Sequence, residues 1–167
     1  MGGGIEIGNT DSHAEYNFSL DPEAVSAVLE APMKKTLALL DFTHTLAFSE
    51  AEVRWMVGAE RESLKADNTL PYSVFGRLFY GNLDSSLKNG NEGAIIHDGA
   101  AFGYLLWRDA YETAVNTVCT DEAGRLFRST KGHSVWLMDK MDRGIFAQRI
   151  KAAFCALRKG TESLDML

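Results

Sequence analysis

The chain has 167 residues, of which 46% are hydrophobic and 24% are charged, as expected for one globular domain with a sizeable core. Its net charge of −6 and its pI near 5.2 argue against a nucleic-acid-binding protein, and no basic stripe is visible. No apolar run reaches the roughly eighteen residues that a membrane-spanning helix needs.

Composition divides the chain into three predicted segments. Residues 1–20 are polar and Gly-rich at the start, which predicts a mobile N-terminal segment. A single globular domain is predicted over residues 21–160, followed by a polar tail over 161–167. Cys119 and Cys155 form no Cys-x-x-Cys pair, so we expect reduced thiols and a cytoplasmic protein.

The N-terminal half carries clear signals for helix starts. Asp21 and Pro22 suit the N-cap and the first helical position. Ser49 and Glu52 have the spacing of a capping box, which predicts a second start. Apolar residues then recur at helical spacing over Pro71–Leu87, so this segment is predicted to be a helix with one buried face.

The spacing of apolar residues changes in the second half. Gly93–His97 and Ala101–Trp107 read as two strands, because Asp98-Gly99 between them is a strong hairpin signal. The polar segment 108–117 is predicted to be a loop with a helical turn.

Two more strands are predicted, one over Val118–Phe127 with an interruption at Asp121-Glu122, and one over Gly132–Asp139. An amphipathic helix over residues 145–157 follows and is expected to end at Gly160. The order predicts an α/β (α+β) fold with N-terminal helices, a central, mostly antiparallel sheet and a C-terminal amphipathic helix.

Asp139 is the first candidate for chemistry, because it follows a predicted buried strand at the end where open α/β sheets place their sites. The alternative is that its carboxylate caps the next helix. The four histidines are His13, His44, His97 and His133. None has metal-ligand spacing to another histidine, cysteine or carboxylate, so no metal site is predicted.

Three motifs carry a family resemblance. They are a proline followed by an apolar helix at Leu70–Phe75, an aromatic run at Gly103–Trp107, and the Gly, Trp and Asp spacing within Thr130–Asp139. Through these motifs, residues 71–154 resemble the RTX toxin-activating lysine acyltransferases. The resemblance implies a variant of the Gcn5-related N-acetyltransferase fold.

The resemblance also implies an activity and its partners. That family moves a fatty acyl group from acyl carrier protein to lysines of a protein target, and it needs no cofactor beyond the carrier-linked acyl group. Asp139 takes the place of a catalytic aspartate. Ser63 stands where that family has its catalytic histidine, so His44 or His97 would supply the base. The implied acyl groove draws on five aromatic residues, namely Phe75, Phe79, Tyr104, Trp107 and Trp136.

Alternatives to the enzyme stay open at this point. A non-catalytic relative on the same fold would bind a lipid, a small apolar ligand or a protein as a regulator. A dimeric interaction module would use the helix over residues 145–157 as its interface. The acidic chain also suits docking to acidic acyl carrier protein poorly.

Overall fold

The structure is a computed structural model that describes residues 1–65 and 71–164. These residues divide into two compact units. The first unit consists of Met1–Thr45 and His97–Met141, and the second consists of Leu46–Ile96 and the described residues from Asp142 onward.

The described part of the chain contains both strands and helices. The strands are β1 (Thr36–Leu37), β2 (Ala47–Phe48), β3 (Ala94–Ile95), β4 (Tyr111–Thr120), β5 (Leu126–Arg128) and β6 (His133–Met141). The α-helices are α1 (Tyr16–Leu20), α2 (Pro22–Glu30), α3 (Leu40–Thr43), α4 (Glu50–Val57), α5 (Pro71–Lys88), α6 (His97–Leu106) and α7 (Arg143–Leu164). Short 3₁₀ helices cover Arg61–Lys65 and Arg108–Ala110.

The first unit is built on a four-stranded mixed sheet in the order β1-β6-β4-β5. β4 runs antiparallel to β6, with Val118 opposite His133, whereas β1 runs parallel to β6, with Thr36 opposite Trp136. The α/β class predicted from the sequence is therefore confirmed.

The core of the first unit lies on one face of this sheet. A cluster of fully buried aliphatic side chains contains Leu29, Leu39, Val118, Leu126, Val135 and Leu137. Val135 and Leu137 of β6 belong to this cluster and lie on the same face of the sheet, because successive side chains of a strand point to opposite faces.

The predicted hairpin over Gly93–Trp107 is wrong. Only Ala94 and Ile95 form a strand, which pairs antiparallel with β2, and His97–Leu106 is the helix α6. The alanines and leucines of this segment are strong helix formers. Asp98 therefore lies in the first turn of a helix, where a carboxylate is favourable, and not in a hairpin turn.

The segment 108–117 has the predicted helical turn, as the 3₁₀ helix over Arg108–Ala110, but the rest of it is not the predicted loop. From Tyr111 onward it belongs to β4, whose polar residues pair along the whole length of β6. Cross-strand pairing, which a local pattern does not reveal, outweighs the polar composition here.

The predicted helix starts are confirmed. α2 begins at Pro22, and the Asp21 carboxylate accepts a hydrogen bond of 2.9 Å from the Ala24 N–H. α5 spans Pro71–Lys88 as expected. α7 runs past Gly160 to Leu164, so the predicted stop at Gly160 is wrong.

The mobility of residues 1–20 and the domain limits at 21 and 160 stay predictions. Among the described residues, no helix combines the length and the apolar character needed to cross a bilayer.

Candidate active site

A polar cavity of about 250 Å³ lies within the first unit, where loops meet the N-terminal ends of α1 and α6. Its lining combines one histidine, two carboxylates, two amides and a phenol ring. The lining residues are Met1, Asn9, Glu15, Tyr16, Asn17, Leu40, His97 and Asp98. A concave site where titratable and hydrogen-bonding groups converge is the expected form of a small-molecule site.

Glu15 holds the N-terminal loop in place from inside the protein. It is only 2% exposed, and its carboxylate accepts hydrogen bonds from three backbone N–H groups. Two of these N–H groups, from Asn17 and Phe18, lie in the first turn of α1. The third, from Gly3, lies 2.9 Å from the carboxylate and belongs to the loop before α1. The buried charge is therefore stabilised by fixed donors, and the two chain segments are joined through one side chain.

Two amide side chains are oriented by the backbone around them. Asn9 accepts a hydrogen bond of 2.7 Å from the Tyr16 N–H through its Oδ1. Asn17 donates through Nδ2 to the carbonyl oxygen of Met1 at 3.4 Å. The Oδ1 atom of Asn9 and the Nδ2 atom of Asn17 are thus already hydrogen-bonded within the protein. The Nδ2 atom of Asn9 and the Oδ1 atom of Asn17 are the ones suited to bind a ligand.

His97 and Asp98 reach the cavity from the first turn of α6. The Nδ1 atom of His97 lies 2.8 Å from the hydroxyl of Thr43, which is fully buried in α3. α3 is itself tied to the N-terminal loop by a hydrogen bond of 2.8 Å from the Leu40 N–H to the Gly3 carbonyl. Both His97 and the N-terminal loop are therefore held in place by hydrogen bonds to α3.

The electrostatics of the cavity favour a neutral His97 at pH 7. Burial lowers the pKa of His97 from its usual value, and the neighbouring ring of His44 lowers it further. The negative charges of Asp98 and Glu15 act in the opposite direction but are outweighed. A histidine that is neutral near pH 7 can both accept and return a proton.

The described residues contain no group of three or more histidine, cysteine or carboxylate side chains placed to hold a metal ion. What the cavity offers a ligand is carboxylate, amide and imidazole groups. This combination suits hydroxyl groups and proton transfer.

Of the three catalytic residues proposed from the sequence, two lie together. The rings of His44 and His97 are 5.4 Å apart between centroids, although His44 is exposed. Asp139 instead lines another cavity of the same unit, of about 170 Å³, together with Asp41 and Arg128.

The five aromatic residues assigned to an acyl groove fall in both units. Tyr104 packs edge-on against Tyr111 at 5.6 Å, and Lys34 lies 4.4 Å above the ring of Trp136. Trp107 is half-buried in the first unit. In the second unit, Phe79 packs on Phe154 at 5.2 Å, and Phe75 is 49% exposed.

The sequence analysis missed most residues of the polar cavity. Asn9, Glu15 and Asn17 were assigned to a mobile tail, and Asp98 was assigned to a hairpin turn. One signal was present, because Asp98 directly follows His97 in the sequence. That signal was not decisive without the fold.

Comparison with known proteins identifies the fold. A plant nucleoside hydrolase matches 92% of this chain with a TM-score of 0.69 and 16% identity. A purine-preferring ribonucleoside hydrolase from Gardnerella vaginalis matches 94% with a TM-score of 0.65 and 17% identity. The chain covers 51% of the length of each structure.

Curated relatives and a family model give the same result. Pyrimidine-specific ribonucleoside hydrolases RihA are 29% identical in an Enterobacter species and 27% identical in Salmonella typhimurium, each over 127 residues. The matches cover 75% of this chain and 38% of each relative, so this chain spans well under half of the length of these relatives. The model for inosine-uridine preferring nucleoside hydrolase matches residues 1–152.

These matches correct the expectations drawn from the acyltransferase resemblance. The fold is not that of the Gcn5-related N-acetyltransferases, since the structural neighbours are nucleoside hydrolases with only the α/β class in common. Protein-lysine acylation, with acyl carrier protein and a lysine-bearing protein as partners, is wrong for the same reason. The three spaced motifs that supported it are short, and the hairpin between them is a helix. The chain belongs to the family of inosine-uridine preferring nucleoside hydrolases.

Proposed function

We propose that this chain provides a ribonucleoside-hydrolysing site, and that this site is the polar cavity around His97. The observation that carries the proposal is the meeting of His97 and Asp98 with Asn9, Glu15 and Asn17 in one cavity. The relatives are named for pyrimidine, purine or inosine-uridine preference, so the proposal covers ribonucleosides as a class and no single base.

The lining groups match the chemistry of a ribose. A ribose presents neighbouring hydroxyl groups, each of which donates one hydrogen bond and accepts others. Asn9 keeps its Nδ2 donor and Asn17 keeps its Oδ1 acceptor for a ligand, and the Oε1 atom of Glu15 accepts from the Asn17 N–H with capacity for another donor. A volume of about 250 Å³ also suits a small polar ligand better than a polymer.

The reaction replaces the bond between ribose C1′ and the base nitrogen by a bond from C1′ to a water oxygen. The electron pair of the broken bond leaves with the base, which takes up a proton, while the water loses one. In this proposal the Asp98 carboxylate accepts the proton from water. The His97 imidazole takes up a proton from solvent before the bond to the base breaks and gives that proton to the leaving base, and the proton on Asp98 then returns to solvent. The products are free ribose and free base.

A cytoplasmic location is part of the same proposal. Cys119 and Cys155 are both free thiols, which supports a reducing compartment.

The test is base release from uridine, cytidine, inosine and adenosine by the purified chain, followed by chromatography. We expect release from at least one nucleoside. His97→Gln and Asp98→Asn should each reduce it by roughly 100-fold or more, because each removes a group that moves a proton.

Matched controls are His133→Gln and Asp139→Asn, which change the same side-chain types outside the cavity lining. Both should keep their activity. Folded protein that releases no base from any of the four nucleosides would overturn the proposal, as would release that survives both cavity variants.

A further inference from the structure

The buried hydroxyl of Thr43 makes two polar contacts at once. Its Oγ1 lies 3.2 Å from the carbonyl oxygen of Leu40, one turn earlier in α3, and 2.8 Å from the Nδ1 atom of His97. Thr43 is fully buried, and its own N–H bonds to the carbonyl of Leu39 at 3.0 Å. The position of the hydroxyl is therefore set by the helix and by packing around it.

Counting protons decides the direction of these two hydrogen bonds. A threonine hydroxyl carries one proton, and a backbone carbonyl can only accept. If the hydroxyl donates to Leu40, the contact with His97 is a hydrogen bond only when the Nδ1 of His97 carries a proton and donates it. The Leu40 carbonyl also accepts the His44 N–H at 2.9 Å, so it is not left without a donor in either tautomer. The opposite tautomer would nevertheless take the hydroxyl proton and leave two acceptor oxygens facing each other at 3.2 Å in a buried site, which is unfavourable.

We infer that Thr43 is a positioning residue that holds His97 in the tautomer with its proton on Nδ1. Nε2, on the other side of the ring, is then the nitrogen that exchanges a proton with a ligand in the cavity. The catalytic consequence rests on the proposed function, whereas the tautomer itself does not.

The arrangement has the form of a proton-transferring imidazole oriented by another side chain. A proton acceptor is effective when its tautomer and ring orientation are set before the ligand arrives. Here the orienting group is the neutral hydroxyl of Thr43, which adds no charge of its own beside the half-buried imidazole. The ring of His44, at 5.4 Å, restricts the same imidazole from one side.

The direct test is nitrogen-15 NMR of the histidine side chains in the whole chain at about pH 7.5, where a histidine with an ordinary pKa is neutral. The His97 signals are identified by their loss in His97→Gln. We expect a protonated Nδ1 and an unprotonated Nε2 in the wild type and in Thr43→Ser, which keeps the hydroxyl. In Thr43→Val, which keeps the shape but not the hydroxyl, a substantial share of Nε2–H tautomer should appear.

Kinetics separate positioning from a purely structural role. Thr43→Val should lower kcat for nucleoside hydrolysis by roughly 10- to 100-fold with little change in KM, and Thr43→Ser should restore most of it. Circular dichroism and urea unfolding establish that both variants fold.

The possible outcomes separate the two proposals. A wild type with its His97 proton on Nε2 overturns the inference, and this reading does not depend on whether Thr43→Val folds. A tautomer that is unchanged in folded Thr43→Val also overturns it. If the tautomer behaves as inferred but no base is released from any nucleoside, the proposed function fails and the role of Thr43 in orienting His97 stands.

Discussion

At the scale of single residues, the N-terminal loop depends on positions that have no room for a side chain. Gly2 and Gly3 lie against the ring of Phe18, and Gly3 has a φ of +78°, which favours glycine. At Gly4, a Cβ atom would fall on the carbonyl oxygen of Ile7, far inside van der Waals contact. The loop that borders the cavity therefore requires these glycines for steric reasons.

Gly4→Ala should lower the free energy of unfolding by about 3 kcal/mol, because a backbone carbonyl has to move. The matched control is Gly81→Ala in α5, where a Cβ atom meets nothing within 4 Å. That change should raise stability by about 0.5–1 kcal/mol through helix propensity. Urea unfolding measures both, and equal effects of the two substitutions would contradict the steric account.

His97 should make stability depend on pH near neutrality. Its pKa in the folded protein is lowered by burial and by His44, so the unfolded chain takes up the proton first as the pH falls below 6.5. The contribution of His97 is therefore complete above this value and is lost as the pH falls through the lowered pKa.

The measurement is urea unfolding at about pH 7.5 and about pH 5.5, a range that lies above the titration of ordinary carboxylates. The loss of stability on acidification should be larger in the wild type than in His97→Gln. The other three histidines are present in both proteins, so their contributions to the difference largely cancel. An identical loss in the two proteins would show that His97 does not have a lowered pKa.

At the scale of elements, α4 begins with a complete capping box. Ser49 accepts a hydrogen bond of 3.3 Å from the Glu52 N–H, and the Glu52 carboxylate accepts one of 2.8 Å from the Ser49 N–H. Burial raises the pKa of Glu52, but the hydrogen bonds from Ser49 and the charge of Arg143 outweigh it and lower the pKa overall. The Arg143 guanidinium also donates to the carbonyl of Ala47 at 2.6 Å, so it connects the start of α7 to β2 within the second unit.

Ser49→Ala should lower the free energy of unfolding by about 1 kcal/mol, because the Glu52 N–H loses its acceptor. Ser85→Ala, at an exposed position inside α5, is the matched control and should leave stability unchanged or slightly higher. Thermal unfolding followed by circular dichroism compares the two. If Ser85→Ala lowered stability as much as Ser49→Ala, the loss could not be attributed to the helix cap.

At the scale of the whole molecule, the cavity is assembled from chain segments that are remote in sequence. Asn9, Glu15 and Asn17 come from the N-terminal segment, whereas His97 and Asp98 come from the start of α6. Glu15 connects the loop to α1, and Leu40 connects the loop to α3. Stability and ligand binding should therefore be coupled through Glu15.

Glu15→Ala should lower the free energy of unfolding by about 2 kcal/mol, because three backbone N–H groups lose a charged acceptor. It should also weaken nucleoside binding measured by calorimetry, since the loop with Asn9 and the start of α1 lose a shared anchor. Glu122→Ala, at an exposed position in the turn between β4 and β5, should change neither quantity. A stable Glu15→Ala protein with unchanged nucleoside binding would contradict this coupling.

The sequence by itself determined the elements whose signals are local. Asp21 and Pro22 started α2, Ser49 and Glu52 started α4, and the apolar spacing after Pro71 predicted α5. The Gly132–Asp139 strand was predicted within two residues of its observed ends, because a short apolar run with a β-branched residue and an aromatic follows Gly132. A cap or a spacing pattern acts over a few residues, so it can be read without the fold.

Only the tertiary structure decided the candidate site. Asp98-Gly99 is a strong turn signal, but the helix propensity of the residues after it outweighs that signal. The polar residues of β4 form a strand because they pair with β6. Asn9, Glu15 and Asn17 gained significance only when the hydrogen bonds of Glu15 and Leu40 brought their loop to His97. Such contacts join residues far apart in sequence, and their free energy exists only once the chain has folded around them.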